Sequence, residues 1–487
     1  MNKIKSITVL GGGTAGLISA LLLKKNFPHI DIQLIKSEKI GTIGVGEGTT
    51  EHWRIFTDLV EIDMLEYMKE CEATIKIGVS FEQWTKKPYI HSIFGGYDLT
   101  HNGYYSIYGH LISNDYDPLY LCPRFFYDNL IFENNLKNHN FFSNQYHFDA
   151  GKLNKFLEKN AKKYGIKIIT DDIIDAELDE SGNINCLISN DNSYFSDFFI
   201  DCSGFQRFLL HKKLNVRWKS YSKYLPLNSA FAFLTEEMED YSILTKITSH
   251  SSGWSWSIPT QSRTGNGYVF CDEFISFDDA KTEMEQFHNR NLDIKKVFKF
   301  EPGKLEKFWY KNCVAVGISA GFVEPLEATS ISFSIQQIRC LCTLIASGDS
   351  ETYNYHMNST FNNIFDFIQA HYITKREDTS FWKEVKNNLN VTNSLSENLI
   401  KWKNRLPHSS DIDCAWPVFH PINYIQMLYA QEWFDIEKIK KEYEFYGQNE
   451  LIKDMVNKLL TNNELQNKIG HRDFIKKITN KNSFIYT

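Results

Sequence analysis

Three short stretches of this sequence carry residue types that can do chemistry. The first is GGGTAG at 11–16, which follows an apolar run, IKSITVL at 4–10, and opens a helical run, LISALLLKK. Strand, glycine-rich turn and helix start, in that order, suit a dinucleotide. Gly11 permits the tight turn, Gly13 lets the backbone approach a pyrophosphate, and Gly16 lets helix and strand pack closely. The helix start then offers free N–H groups and a positive dipole end to the phosphates. The second stretch is CVAVGISAGFVEPLEATSISFSIQQI at 313–338. Glu324 and Glu327 flank a turn at Pro325, ahead of an apolar helix with Thr329 or Ser330 as its N-cap. One of these acids could be buried with a shifted pKa, or could simply favour the helix dipole. The third stretch is GWSWSIP at 253–259. On an extended chain Trp254 and Trp256 point to one face, as a core wedge or as a rigid apolar wall.

Other elements must position these groups. A second strand, IDIQLIK at 30–36, ends in Lys36, where a dinucleotide fold usually places a ribose-binding acid. Lysine only donates, so either Ser37 or Glu38 substitutes or the ribose contact is weaker. A glycine-rich loop, IGTIGVGEGTT at 40–50, follows. Then YHFDAGKLNKFLEKNAKKYGIKII at 146–169 reads as a helix feeding a strand, and FFIDCSGFQRFLL at 198–210 as a strand ending in Asp201, a small-residue turn and a helix start. Two separated strand–turn–helix units around one nucleotide are the layout of flavin hydroxylases, so FAD is favoured over NAD. The expected fold is α/β, a flavin monooxygenase-like FAD-binding fold with a sheet-rich insertion and a helical C-terminal region. The FAD-binding module is expected over 1–350, interrupted by insertions near 85–145 and 215–300. A mainly helical substrate-side region is expected over 351–487, where YNYHMNSTFNNIFDFIQAHYI has apolar residues at helical spacing.

The totals narrow the class. The chain has 487 residues, enough for more than one domain. Hydrophobic residues at 42 % and charged residues at 23 % are ordinary for a soluble globular protein. A net charge of −7 without a basic block leaves a nucleic-acid partner no electrostatic footprint. No signal peptide or membrane span is read, and nine scattered cysteines without a CxxC fit a reducing cytoplasm rather than a zinc site.

Taken together, the chain resembles the flavin-dependent halogenases, the tryptophan halogenase group. The matching stretches are GGGTAG at 11–16, TIGVGE at 42–47, ATIKIGVSFEQW at 73–84, YHFDAGKL at 146–153, DCSGF at 201–205, WSWSIP at 254–259, AGFVEPLEAT at 320–329 and REDTSFW at 376–382. The resemblance implies a reaction. FADH2 from a separate NADH-dependent flavin reductase meets O2 to give a flavin hydroperoxide. A halide (chloride, bromide or iodide) attacks it and becomes hypohalous acid, which travels through a tunnel to an electron-rich aromatic held apart. Lys76 would meet the hypohalous acid on the way, as hydrogen-bond donor or as haloamine. By residue type alone, Lys76 would read as a solvated surface charge. Glu327 would polarise the reagent or take the proton released by the ring. The cofactor would lie on Gly11, Gly13, Thr14, Ala15 and Gly16, with Ser37, Gly46, Glu47, Asp201, Gly317 and Ile331. The halide would sit at the Thr329–Ser330 step. Trp254, Trp256, Ile258 and Pro259 would wall the tunnel. His91 and Phe94, or Ile93 with a one-residue shift, would sandwich the aromatic ring, although His91 reads equally as a satisfied core histidine.

Two departures matter. Family members acting on tryptophan read LESTG where this chain reads LEATS, so the halide pocket differs and bromide or iodide is expected over chloride. A serine at 330 is tolerated only with negative φ. The acidic, aromatic segment that closes over free tryptophan is not found, which points to another indole or phenol substrate. The rivals are a flavin hydroxylase or epoxidase that needs no halide, and a flavin-binding protein without chemistry. A homo-oligomer is compatible with the sequence.

Overall fold

The apolar run at the start becomes the strand Ser6–Leu10, in the middle of a six-stranded sheet. The sheet order is Trp309–Tyr310, Cys313–Ala315, Phe198–Asp201, Ser6–Leu10, Asp31–Lys36, Lys167–Thr170, all parallel except the first. Ile7, Val9, Leu34, Ile35 and Phe198 to Ile200 are all fully buried. Such continuous apolar strands suit a parallel sheet covered on both faces. The helix Thr14–Asn26 packs against Ala150–Lys163 and Thr329–Leu344, and is buried through Gly16 to Leu23. These elements come from the computed structural model, which describes residues 4–39, 46–91, 103–117, 128–132, 145–236, 241–294, 297–445, 450–465 and 467–480.

A seven-stranded sheet lies over this core. Its order is Val297–Lys299, Ser229–Glu236, Arg263–Phe270, Gly253–Pro259, Leu244–His250, Gly78–Glu82, Tyr89–His91. Only the pairing of Gly78–Glu82 with Leu244–His250 is parallel. That pairing inserts the segment after Lys76 into the sheet that carries the tryptophan pair. The region 85–145, expected to be sheet-rich, contributes among its described residues two three-residue strands, Tyr89–His91 and Leu130–Phe132, and the helix Gly103–Ser113.

Beyond residue 350 the described elements are helices, from Ser350–Ala370 to His471–Thr479, with one exception. The strand Lys468–Gly470 pairs antiparallel with Leu130–Phe132 and brings the C-terminal region back to the middle of the chain. Among the described residues no helix is long and apolar enough to cross a membrane, and no cluster of His, Cys, Asp or Glu could hold a metal ion.

Candidate active site

The glycine turn has the geometry its spacing implies. Gly11 has φ +124°, and a Cβ there would strike the carbonyl of Cys202 at 2.2 Å. A Cβ on Gly16 would meet the Gly11 carbonyl at 1.9 Å. A Cβ on Gly13, the N-cap of Thr14–Asn26, would meet nothing within 4 Å. The open space thus lies at the helix start, where a diphosphate would bind, so these residues fit a dinucleotide. Ala15 closes against Gly317, and Thr14 Oγ1 donates to Asn154 Oδ1 at 2.9 Å. At the adenosine end Lys36 is paired with Glu158, and the Ser37 hydroxyl donates to Asp172 at 2.5 Å. Asp172 follows the neighbouring strand Lys167–Thr170, so an acid does stand beside the second strand, supplied by its neighbour. Asp201 is fully buried, and its carboxylate accepts from Ser203 and from the backbone of Leu209 and Leu210. Its side chain holds the turn of its own chain. Gly46 rests against Ile258, which ties the second glycine loop to the tryptophan strand. Glu47 is half-buried, and burial pushes its carboxyl up to about 7.

Lys76 is almost fully buried, on the short link between the strands Thr74–Ile75 and Gly78–Glu82. Its Nζ donates to the Thr49 carbonyl at 2.9 Å. Burial lowers its pKa to about 8, and the negative charges of Glu327 and Glu51 hold part of that fall back. Lys76 and Glu327 therefore share one electrostatic environment, each with its own hydrogen-bond partners. Glu51 Oε2 is buried without a partner. The lysine link is braced from the C-terminal region, because His471 Nε2 accepts from the Ile75 N–H at 3.1 Å and its Nδ1 donates to the Tyr241 carbonyl.

Glu327 is buried, and two imidazoles meet its Oε1. His91 Nδ1 lies at 2.8 Å and His371 Nε2 at 3.3 Å. Burial pushes this carboxyl up, but the imidazoles more than offset it and hold it well below the usual carboxylate range. His91 stands on the strand Tyr89–His91, with Asn423 Nδ2 at 2.9 Å from its Nε2 and its ring against Phe367. Its surroundings match the core-histidine alternative. Phe94, its expected partner, and the alternative Ile93 lie outside the described residues. The residue after Glu327 is the strained one: Ala328, in the left-handed region at φ 56°, is the N-cap of Thr329–Leu344. The expected N-cap, Thr329 or Ser330, is corrected accordingly: both lie inside the helix. Ser330 is absent from the positive-φ residues, so it needs no glycine there. Ile331 is buried one turn into the same helix.

Glu324 resolves which acid is raised. It is buried, and its Oε2 accepts from Trp254 Nε1 at 3.0 Å and Tyr372 Oη at 2.7 Å, while Oε1 has no partner. Burial raises its carboxyl from an ordinary 4.5 to about 7, against the two hydrogen bonds. Between those values the folded protein binds more protons than the unfolded chain. Stability therefore falls as pH rises from 4.5 to about 7, by about 3 kcal/mol. Glu324→Gln keeps the acceptor for Trp254 and Tyr372 and removes the charge. Urea midpoints of this variant should match the wild type near pH 5 and exceed it near pH 8. Equal midpoints at both values would refute a buried ionisable Glu324.

The tryptophan pair is divided in role. Trp254 is fully buried, Trp256 is half-buried, and their ring centres lie 6.1 Å apart. Trp256 faces Gly267 across the strand pair, where a Cβ would meet its ring at 2.1 Å. Gly267→Ala should displace the Trp256 ring and destabilise the protein by about 1–3 kcal/mol. Tryptophan fluorescence and urea unfolding check this, and an unchanged spectrum would refute the contact. Ile258 and Pro259 end the same strand, and the Pro259 carbonyl accepts from Thr74, two residues before Lys76.

Sequence reasoning missed His371 and Asn423. His371 ends an apolar helical run, where a histidine is indistinguishable from core filling. Asn423 gives no local signal.

A dinucleotide core whose second unit comes from 198–210, covered by a largely antiparallel sheet, is a fold of the FAD-dependent monooxygenase class. Within that class the chain belongs to the tryptophan halogenase family, whose model matches residues 6–439, and it is a flavin-dependent halogenase. It is 31 % identical over 468 residues to tryptophan 6-halogenase SttH of Streptomyces toxytricini, covering 87 % of this chain and 88 % of SttH. BrvH, a flavin-dependent halogenase from Brevundimonas sp. BAL3, superposes with a TM-score of 0.83 at 25 % identity, over 98 % of this chain and 99 % of BrvH. A tryptophan halogenase from Shewanella frigidimarina shares the fold with a TM-score of 0.86 at 24 % identity, over 98 % of both chains.

Proposed function

We propose that this enzyme halogenates an indole-type ring by electrophilic substitution, with Lys76 presenting hypohalous acid and Glu327 receiving the ring proton. The observation that carries the reading is a buried lysine of lowered pKa within the field of a buried, ionised glutamate. Bound FAD, reduced by a separate NADH-dependent flavin reductase, supplies the two-electron oxidation of halide with O2. Gly11, Gly13, Thr14, Ala15, Gly16 and Gly317 hold its diphosphate side, and Gly46, Glu47 and Ile331 flank it. Backbone N–H groups of Thr329 and Ser330, at the start of a sixteen-residue helix, hold the halide. Trp254, Trp256, Ile258 and Pro259 form a rigid apolar wall that keeps the organic substrate from the cofactor. Lys76 donates an N–H to the hypohalous oxygen and so makes the halogen more electrophilic.

Relatives named for tryptophan weigh in favour of an indole. They also weigh against excluding free tryptophan, which returns to the test beside other indoles and phenols. Bromide or iodide is preferred over chloride. The test is a mass-spectrometric screen with FAD, NADH and a generic flavin reductase, offering indole, tryptophan and phenol with bromide. Halide-free and Lys76→Ala controls run alongside. Bromine isotope doublets that vanish with Lys76→Ala support the reading, and oxygenated product without halide overturns it. A competition among halides won by chloride would remove the halide preference alone.

A further inference from the structure

Main-chain N–H groups of an extended segment point alternately to its two sides. Around Lys76 the alternation is regular. The Lys76 N–H donates to the Gln145 carbonyl at 3.1 Å, on the side of the strand Tyr146–Phe148. The Ile77 N–H donates to the other side, to the Ile243 carbonyl at 3.0 Å, just before Gly78–Glu82 pairs in parallel with Leu244–His250. Two residues earlier on each chain, the same ladder would join the Ile75 N–H to the Tyr241 carbonyl. In place of that direct bond stands the imidazole of His471. Its Nε2 accepts from Ile75 at 3.1 Å and its Nδ1 donates to the Tyr241 carbonyl at 3.1 Å.

The state of the ring is forced. A main-chain N–H only donates and a carbonyl only accepts, so Nδ1 carries the proton and Nε2 does not. Burial keeps the ring neutral by lowering its pKa to about 4, against the pull of the Tyr241 carbonyl. The ring is fully buried and meets the Tyr241 ring edge to face, with centres 5.9 Å apart. It heads the helix His471–Thr479, whose Phe474, Ile475 and Ile478 are buried. The His471 N–H donates to the Asn129 carbonyl at 2.9 Å, beside the pairing of Lys468–Gly470 with Leu130–Phe132. The ring is thus anchored from its own helix and strand, not by the two segments it separates.

Lys76 lies between the wedged rung at Ile75 and the direct rung at Ile77. Its amine has little latitude. Nζ is bonded to the Thr49 carbonyl at 2.9 Å and passes Gly48, where even a Cβ would stand 3.3 Å from it. Closing the Ile75 rung would draw the link toward Tyr241 by the width of the ring. We propose that His471 is a positioning residue for halogenation: its imidazole replaces one main-chain rung and so sets where Lys76 stands. This rests on the reading of Lys76 given above.

The first test needs no turnover. An amide bonded to a ring nitrogen passes a scalar coupling between the two nitrogens, which a bond to a carbonyl oxygen cannot. Deuterated, 15N-labelled wild-type enzyme should show that coupling between the Ile75 amide and His471 Nε2, and its absence overturns the wedge. The second test compares two amides of different reach. His471→Asn reaches the Tyr241 carbonyl but not Ile75, whereas His471→Gln can accept from Ile75 and donate to Tyr241. By 13C NMR of labelled lysine, the Lys76 titration midpoint should leave its wild-type value of about 8 in His471→Asn and keep it in His471→Gln. An unchanged midpoint in His471→Asn overturns the proposal. In turnover, His471→Asn should lose halogenated product by about 10²-fold, the cost of a misplaced group, with O2 uptake and KM for indole nearly unchanged. His471→Gln should recover most of the loss. Product and O2 uptake falling together, or no recovery in a folded His471→Gln, would mean a purely structural role and overturn the proposal. If Lys76→Ala halogenates as fast as wild type, the catalytic reading of Lys76 fails on its own, and the two NMR measurements still decide whether His471 sets its position.

Discussion

Lys76→Ala is expected to lower halogenated product by about 10³-fold while FAD binding and O2 consumption persist, because one preorganised donor in a dry site is worth about that much. Rates of product formation and of O2 uptake, measured together, check it; equal losses in both would place the defect at the cofactor. The pH profile tests the protonation state. With a pKa of about 8, the lysine is mostly charged at neutral pH. Halogenation should fall as pH rises through about 8, whereas O2 uptake should not. A rate that climbs through the same window would mark the neutral amine, and hence a haloamine, as the reacting form. Stability carries a second signature. Folding lowers this pKa from 10.5, so between about 8 and 10.5 the unfolded chain binds more protons and stability rises with pH. Below pH 8 the deficit of about 3 kcal/mol is fully present. Lys76→Met should remove it, less about 1 kcal/mol for the lost bond to Thr49. The dead enzyme should be the more stable one.

Glu327→Gln should reduce halogenation by about 10²-fold, the usual worth of a positioned base, with the site of substitution on the ring unchanged. Glutamine fills the same volume and can still accept from His91, but it cannot take a proton. A loss below about 3-fold would mean that water removes the ring proton and would discard the role. Its stability effect has the opposite sign to that at Lys76. The folded carboxyl ionises more readily than the unfolded one, so it stabilises the protein above about pH 4.5 and loses that contribution only in strong acid. At neutral pH, Glu327→Gln should therefore unfold at lower urea than wild type. One partner of the pair is held against the fold and the other by it.

The FAD core was legible because its determinants are local: an apolar strand, three glycines at fixed spacing and a helix start. The tryptophan pair was legible as one face of a strand for the same reason. The environment of Glu327 was not. His91 and His371 arrive from a strand and a helix end far apart in the chain, and only the tertiary fold brings them to one oxygen. The contrast between Glu324 and Glu327 was also hidden. The two lie three residues apart on one turn, and burial pushes both up; the hydrogen bonds of an indole and a phenol leave Glu324 raised, whereas two imidazoles more than offset burial at Glu327. Lys36 was legible as a departure, but the acid bonded by Ser37, Asp172 just beyond the neighbouring strand, required knowing which strand is the neighbour.

The brace formed by Lys468–Gly470 and His471 bears on how the enzyme is born. His471 meets the Ile75 backbone across 396 residues of chain. A ribosome delivers Ile75 and Lys76 early, with the cofactor cradle, and the support behind them only much later. A nascent chain could thus acquire its nucleotide fold before its lysine link is fixed. The lysine link is therefore braced only after residue 471 has left the ribosome, long after the link itself.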